Sequence, residues 1–305
     1  MQLHFLGTGA GSPSKTRNVS SVALNLDHAE TWLIDCGEGT QHTILHSRIR
    51  PGRITKILIT HLHGDHIFGL PGLLCSRAMH NAAKPLTIYG PAGIADYIRS
   101  TLNSSFSYLT YPLDIIEHTD NASLYSEQDY SIYAFPLDHA VPSYGYRIEE
   151  HTRQNILNSA ALQKAGIPAG PLYQRLKNGE NITLSDGRML HAADYLMPAP
   201  RGRQIVIFGD TRYRGEHADY CREADVLVHE ATFAESEAAL AEKRHHSTAN
   251  QAATLARDAN VKALYLTHIS ARYSDDEATA FTTEARRVFA NTQLAHDGLI
   301  VEIPR

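Results

Sequence analysis

Apolar residues recur along this chain in two rhythms. Short runs rich in Val, Ile and Leu, bounded by Gly, Asn and Asp, predict strands at 2–6, 21–26, 31–34 and 54–59. The same texture returns at 86–89, 113–117 and 131–135, and again at 204–208, 226–229 and 263–267. Between them, amphipathic stretches predict helices over 40–48, 68 to about 79, about 92–102, 248–258 and 275–290. Strands and helices alternate in both halves, the pattern of sheets covered by helices. The sequence carries no repeat of fixed period and no low-complexity tract.

Several of these strands end on side chains that bind transition metals. Strand 54–59 runs into Thr60-His61-Leu62-His63-Gly64-Asp65-His66, three imidazoles and a carboxylate within one short loop. Imidazole nitrogen and carboxylate oxygen are the ligands of open, catalytic zinc sites, whereas closed structural sites lean on thiolate. Three more apolar runs finish the same way, in Leu137-Asp138-His139, Gly209-Asp210-Thr211 and Leu266-Thr267-His268. Taken singly, each reads as an ordinary loop residue. Taken together, they supply His61, His63 and His139 for one ion and Asp65, His66 and His268 for a second, with Asp210 bridging. Two ions about 3.5–4 Å apart activate water and clamp an in-line phosphoryl displacement.

Composition narrows the class. With 43 % hydrophobic and 20 % charged residues the chain is globular, and its 305 residues can bury a substantial core. No run approaches the roughly 18 apolar residues of a membrane span. The first residues, Met1-Gln2-Leu3-His4-Phe5-Leu6-Gly7, form no basic leader, so a cytoplasmic protein is expected. Cys36, Cys75 and Cys221 are odd in number and far apart, which argues for a reducing compartment. A formal charge of −5 gives no global sign of nucleic-acid binding, so any such partner must meet a local basic patch.

The His61–His66 loop resembles the signature of the metallo-β-lactamase superfamily, which implies an α/β fold, a four-layer αβ/βα sandwich with two metals at one edge. Further segments resemble one branch, the tRNA 3′-processing endonucleases called ribonuclease Z, in their short form. Pro13-Ser14-Lys15-Thr16-Arg17-Asn18 is similar to that family's Pro-x-Lys-x-Arg-Asn loop, His229-Glu230-Ala231-Thr232 to its His-Glu-Ala-Thr motif, and His246-Ser247-Thr248 to its His-Ser-Thr motif. Gly170-Pro171-Leu172-Tyr173-Gln174-Arg175-Leu176-Lys177-Asn178-Gly179 resembles the base of its substrate-gripping arm. The resemblance implies one domain over 1–305 with a flexible RNA-binding arm inserted at 151–191. It also implies two zinc ions per chain, precursor tRNA as substrate and a homodimer. The products would be a tRNA 3′-hydroxyl and a trailer 5′-phosphate, with 3′ exonuclease trimming as a further activity. Asp65 is expected to orient the nucleophile, and His246, polarised by Glu230, to protonate the leaving 3′ oxygen. Lys15, Arg17, Asn18, Arg175 and Lys177 are the expected RNA contacts. The alternatives are a small-molecule hydrolase of the same superfamily, glyoxalase II-like or β-lactamase-like, and an RNA-binding module whose zinc is structural.

Two segments can be read on their residues as well. Across 151–191 the apolar pattern weakens, Pro168 and Pro171 interrupt it, and Arg153, Lys164, Arg175, Lys177 and Arg188 face only Glu180 and Asp186. A basic protrusion on an acidic chain suits phosphate-backbone contact, and duplex RNA is read largely by shape. Gly7-Thr8-Gly9-Ala10-Gly11 has the look of a dinucleotide-binding turn, with Asp27 near the ribose position. Such a turn requires a helix directly after it, and Ser12-Pro13-Ser14-Lys15 does not read as one. The better reading is a glycine turn beside the metals that presents Lys15 and Arg17.

Overall fold

The computed structural model describes residues 1–305 apart from 81, 128, 153–155 and 200. The chain divides into two compact units, one of residues 1–149 and 204–304, the other of residues 150–203 with Arg305.

The larger unit is built on two seven-stranded sheets. The first runs in the order Ile300–Glu302, Gln2–Gly7, Ser21–Asn25, Thr31–Ile34, Ile54–Leu58, Leu86–Pro91, Leu113–His118. Pairing is antiparallel as far as Thr31–Ile34 and parallel beyond it. The second runs Thr292–Leu294, Leu264–Thr267, Val226–Glu230, Gln204–Ile207, Ser143–Glu150, Tyr130–Leu137, Ala122–Ser126, with its first four strands parallel.

Strand alternation decides which face goes where. Leu3, Phe5, Trp32 and Ile34 of the first sheet share one core with Tyr146, Ile148, Ile205 and Val228 of the second, so the sheets pack face to face. The intervening residues Leu6, Leu33 and Ile57 point the other way. They pack against Ile44 of helix Thr40–Leu45, Leu73 of Leu70–Met79 and Ile98 of Ile94–Ser104. On the far side, Val206, Leu227 and Leu266 meet the alanine-rich face of helix Ala249–Asp258 and Phe281 of Asp275–Val288. Both of these helices open on reciprocal capping boxes, Thr248 with Gln251 and Ser274 with Glu277. The layers therefore run helix, sheet, sheet, helix, which is the expected sandwich. Each fully buried large apolar side chain contributes roughly 1.5–3 kcal/mol to holding them together. Among the described residues, no helix is long and apolar enough to cross a membrane.

Several elements depart from the sequence pattern. The helix expected over 40–48 stops at Leu45, and a one-turn helix, Gly64–Ile67, stands where a plain turn was expected. Strands Ala122–Ser126, Ser143–Glu150, Thr292–Leu294 and Ile300–Glu302 are additional. Gly145 interrupts the apolar run of the second of these. Its role is packing, since a Cβ there would stand 2.3 Å from the Phe135 ring.

The smaller unit has a core of its own, made of Leu162, Ile167, Leu176, Ile182, Leu190 and Ala192. Two short helices, Ser159–Lys164 and Pro171–Lys177, surround it with the strand pairs Ile156–Leu157 with Leu196–Met197 and Ile182–Thr183 with Met189–Leu190. Its two chain ends meet where Glu150 N donates to Arg203 O at 2.8 Å. There the buried Arg203 guanidinium grips the Glu150 carboxylate at 2.7 and 3.0 Å.

Candidate metal centre

His61, His139, Asp210 and His268 follow the C-terminal ends of strands Ile54–Leu58, Tyr130–Leu137, Gln204–Ile207 and Leu264–Thr267. The first and the other three belong to opposite sheets, and the structure brings all of them to one place. Ligand atoms of His61, His63, His139 and Asp210 lie within 4.8 Å of one another, as do those of Asp65, His66 and His268. Asp210 stands between the groups. Its Oδ2 is 3.6 Å from His61 Nε2 and 3.4 Å from His268 Nε2, and its Oδ1 is 3.6 Å from His66 Nε2. Gly209 permits that approach, because a Cβ there would lie 2.7 Å from Thr60 Cβ and 2.8 Å from the Tyr144 carbonyl.

Four of the imidazoles are held from behind. His61 Nδ1 donates to Thr60 Oγ1 at 3.0 Å, and that hydroxyl donates onward to Asp35 at 2.8 Å. His66 Nδ1 donates to Asp35 at 2.7 Å and His139 Nδ1 to the His245 carbonyl at 2.8 Å. His268 Nδ1 donates to Thr232 Oγ1 at 2.9 Å, whose own proton goes to Glu230 at 2.6 Å. Carbonyls and carboxylates only accept, and both threonine protons are already committed. Each Nδ1 therefore carries the hydrogen, and each Nε2 turns a lone pair inward. The lone pairs of His66 Nε2 and His268 Nε2 stand 3.3 Å apart. Lone pairs facing one another so closely repel unless a cation lies between them. This donor set fits divalent transition ions.

Charge points the same way. Against burial, the Asp65 and Asp210 carboxyls are held low only if His268, His66 and His61 take up a second proton at Nε2. With those lone pairs turned inward instead, two carboxylates largely closed to water call for positive charge from a bound cation. Backbone strain is present here too. Asp35, His245 and His268 have φ of 57°, 60° and 57° without being glycine, at a cost of about 1–3 kcal/mol each.

Beside the cluster, His246 Nδ1 donates to Glu230 at 2.9 Å. Glu230 is buried and also accepts from the backbone amides of Thr211 and Ser247, at 2.9 and 3.1 Å. Burial opposes charge on His246, but Glu230 and then Asp210 outweigh it and push the imidazole up to about 9. Glu230 thus favours the protonated ring of His246, which lines a cleft of about 390 Å³ with Phe233, Arg244 and Arg272.

The expected RNA contacts fare differently. Lys15 is exposed on its loop. Arg17 is not available. It is buried, with NH1 donating to Thr8 Oγ1 at 2.8 Å and to the Ala295 carbonyl at 2.7 Å, while Nε reaches Asp275 at 3.2 Å. Asn18 is also committed, its amide to Asp297 at 2.6 Å and its side chain to the Glu38 carbonyl at 2.9 Å. Both side chains brace the loop that displays Lys15, which corrects the expectation that they face phosphate. Arg175 is exposed and paired with Glu180 at 2.8 Å, Lys177 is exposed, and Arg153 lies outside the described residues. No helix opens after Gly7; instead Gly9–Ala10 pairs with Ile269–Ser270, and Gly11 N donates to Asp65 at 2.8 Å. The glycine turn wraps the metal cluster. Sequence reasoning passed over Asp35, Thr60, Phe233, Arg244 and Arg272, and gave Thr232 no role of its own.

The geometry agrees with what the chain resembles. Over its whole length it is 49 % identical to "Ribonuclease Z" of Limosilactobacillus fermentum, covering 99 % of that protein. It is 51 % identical to "Ribonuclease BN" of Proteus mirabilis over 97 % of this chain and 98 % of that one. The chain belongs to the ribonuclease Z family. Through residues 1–163 it also belongs to the family whose model is described as Anti-Pycsar protein Apyc1. Among solved structures, the short form of human tRNase Z matches with a TM-score of 0.74 and 32 % identity, over 100 % of both chains.

Proposed function

We propose that this chain is a zinc-dependent endoribonuclease that removes 3′ trailers from precursor tRNA, leaving a 3′-hydroxyl on the tRNA and a 5′-phosphate on the trailer. The observation that carries this is the convergence of seven candidate ligand side chains beside a carboxylate-backed His246. Full-length kinship with proteins named for this activity supports it. His61, His63 and His139 would hold one zinc, Asp65, His66 and His268 another, with Asp210 shared. Bound there, the ions supply Lewis acidity, lowering the pKa of water and neutralising charge that builds on the phosphoryl oxygens. Asp65, kept ionised, orients the attacking water and accepts its proton. His246 gives its proton to the departing ribose 3′ oxygen, a poor leaving group when bare, while Glu230 holds the ring in place and favours its charged form.

The smaller unit is proposed as the arm that grips tRNA away from the scissile bond, using Lys164, Lys177 and Arg175. A homodimer is proposed through the helical layer outside the first sheet. There Leu45, Met79 and Phe106 are 70 %, 81 % and 93 % exposed. The deciding experiment incubates the protein with a 3′-extended precursor tRNA, with and without chelator, and sequences both product ends. Chelator-sensitive release of the stated ends is expected. Metal-loaded protein that leaves the precursor intact would refute the reading.

A further inference from the structure

Strand Ser143–Glu150 supplies no ligand, yet three of its first four residues touch the roots of both ligand groups. Ser143 Oγ donates to the Asp210 carbonyl at 2.9 Å. Tyr144 N donates to the Thr60 carbonyl at 3.0 Å, and the Tyr144 carbonyl accepts from Gly209 N at 3.2 Å. Tyr146, wholly buried, donates its hydroxyl to the Ile59 carbonyl at 2.5 Å. Ile59 and Thr60 are the last residues before His61 and extend a strand of the first sheet, whereas Gly209 and Asp210 extend a strand of the second. This segment joins the two sheets at the point where their ligands must meet.

The Tyr146 hydroxyl is itself aimed. His118 Nε2 donates to it at 3.1 Å, which leaves the single phenolic proton for the Ile59 carbonyl. His118 is buried, its ring set edge-on to Tyr144 at 4.5 Å. We infer that Tyr146 and Ser143 are positioning residues that fix the spacing between the His61–His66 loop and Asp210, with His118 orienting the Tyr146 hydroxyl, and that they thereby set the affinity for the bound ions. Main-chain bonds from Tyr144 hold the strand ends roughly together. The two hydroxyls supply the last adjustment, because ligand atoms must meet an ion within a few tenths of an ångström.

The inference rests on the metal-centre reading, and its test separates the two. Tyr146→Phe, Ser143→Ala and His118→Leu are compared with wild type as metal-free proteins for melting temperature. They are then titrated with zinc against a chromophoric chelator and with cobalt for its visible absorption. Loss of such supporting partners typically costs about 10–100-fold in metal affinity. Tyr146→Phe is expected in that range, with an altered cobalt spectrum and a fall in kcat for a nitrophenyl phosphodiester at little change in KM. His118→Leu should move the same way and less far. Folded variants with wild-type zinc affinity and cobalt spectrum would overturn the inference, leaving these residues a part in the core alone. Should Tyr146→Phe not fold, Ser143→Ala decides by the same criterion. Wild-type protein that takes up neither ion would overturn the metal-centre reading, and this inference with it.

Discussion

At the scale of single residues, the proton on His246 is the most exposed part of the mechanism to test. His246→Ala should slow RNA cleavage by about 10²–10⁴-fold, the usual worth of a general acid. Hydrolysis of a nitrophenyl phosphodiester should barely change, because nitrophenolate leaves without a proton. Equal slowing of both substrates would show that His246 shapes the metal site instead. The pH dependence has its origin in the same pair. Glu230 and Asp210 raise the folded-state imidazole from 6.5 to about 9, so the acid is present at neutral pH and is lost as pH rises through the higher value. Glu230→Gln removes the main raising charge, so the alkaline limb of the RNA pH–rate profile should move down toward 6.5, which profiles of the two proteins would show. The candidate ligands could be read from the sequence because His61, His139, Asp210 and His268 each follow an apolar strand and His63, Asp65 and His66 crowd the loop after the first of these. Their partners could not. The bond from His66 to Asp35 spans 31 positions, and Ile34-Asp35-Cys36-Gly37 looks like any turn until the sheet forms. Arg17 misled for the opposite reason: a cation in an open Pro/Ser loop reads as a phosphate contact, and only its burial shows that it serves the fold.

At the scale of elements, the strands of both sheets were legible wherever β-branched residues filled them. They were hidden where Gly145 broke the run or where an edge strand such as Ala122–Ser126 stayed partly exposed. The inserted segment read as a broken, basic stretch. Its small core was concealed because six apolar residues are spread across 31 positions from Leu162 to Ala192. The backbone bond between Glu150 and Arg203 suggests how to remove it cleanly. Replacing 151–202 with a short Gly/Ser linker should cripple precursor-tRNA cleavage and spare nitrophenyl phosphodiester turnover, since the segment contributes no ligand. Equal loss on both substrates would make it a structural part instead.

At the scale of the whole molecule, the four layers serve to set two sheets' strand ends against each other, and function arises from what those ends carry. Met79→Asp combined with Phe106→Asp should convert a dimer to a monomer in sedimentation, while a chain that is monomeric from the start would remove the case for the helical layer as an interface. Asp210 groups with His61, His63 and His139 and also comes within 3.4 Å of His268 and 3.6 Å of His66, so the case for a paired metal centre depends on it more than on any other residue. Elemental analysis of the purified protein and of Asp210→Ala, each paired with precursor-tRNA cleavage, tests that centre most directly. Two divalent ions per wild-type chain are expected, with ions and activity lost together in a variant that remains folded. A fully active wild-type preparation that contains no bound metal would contradict it.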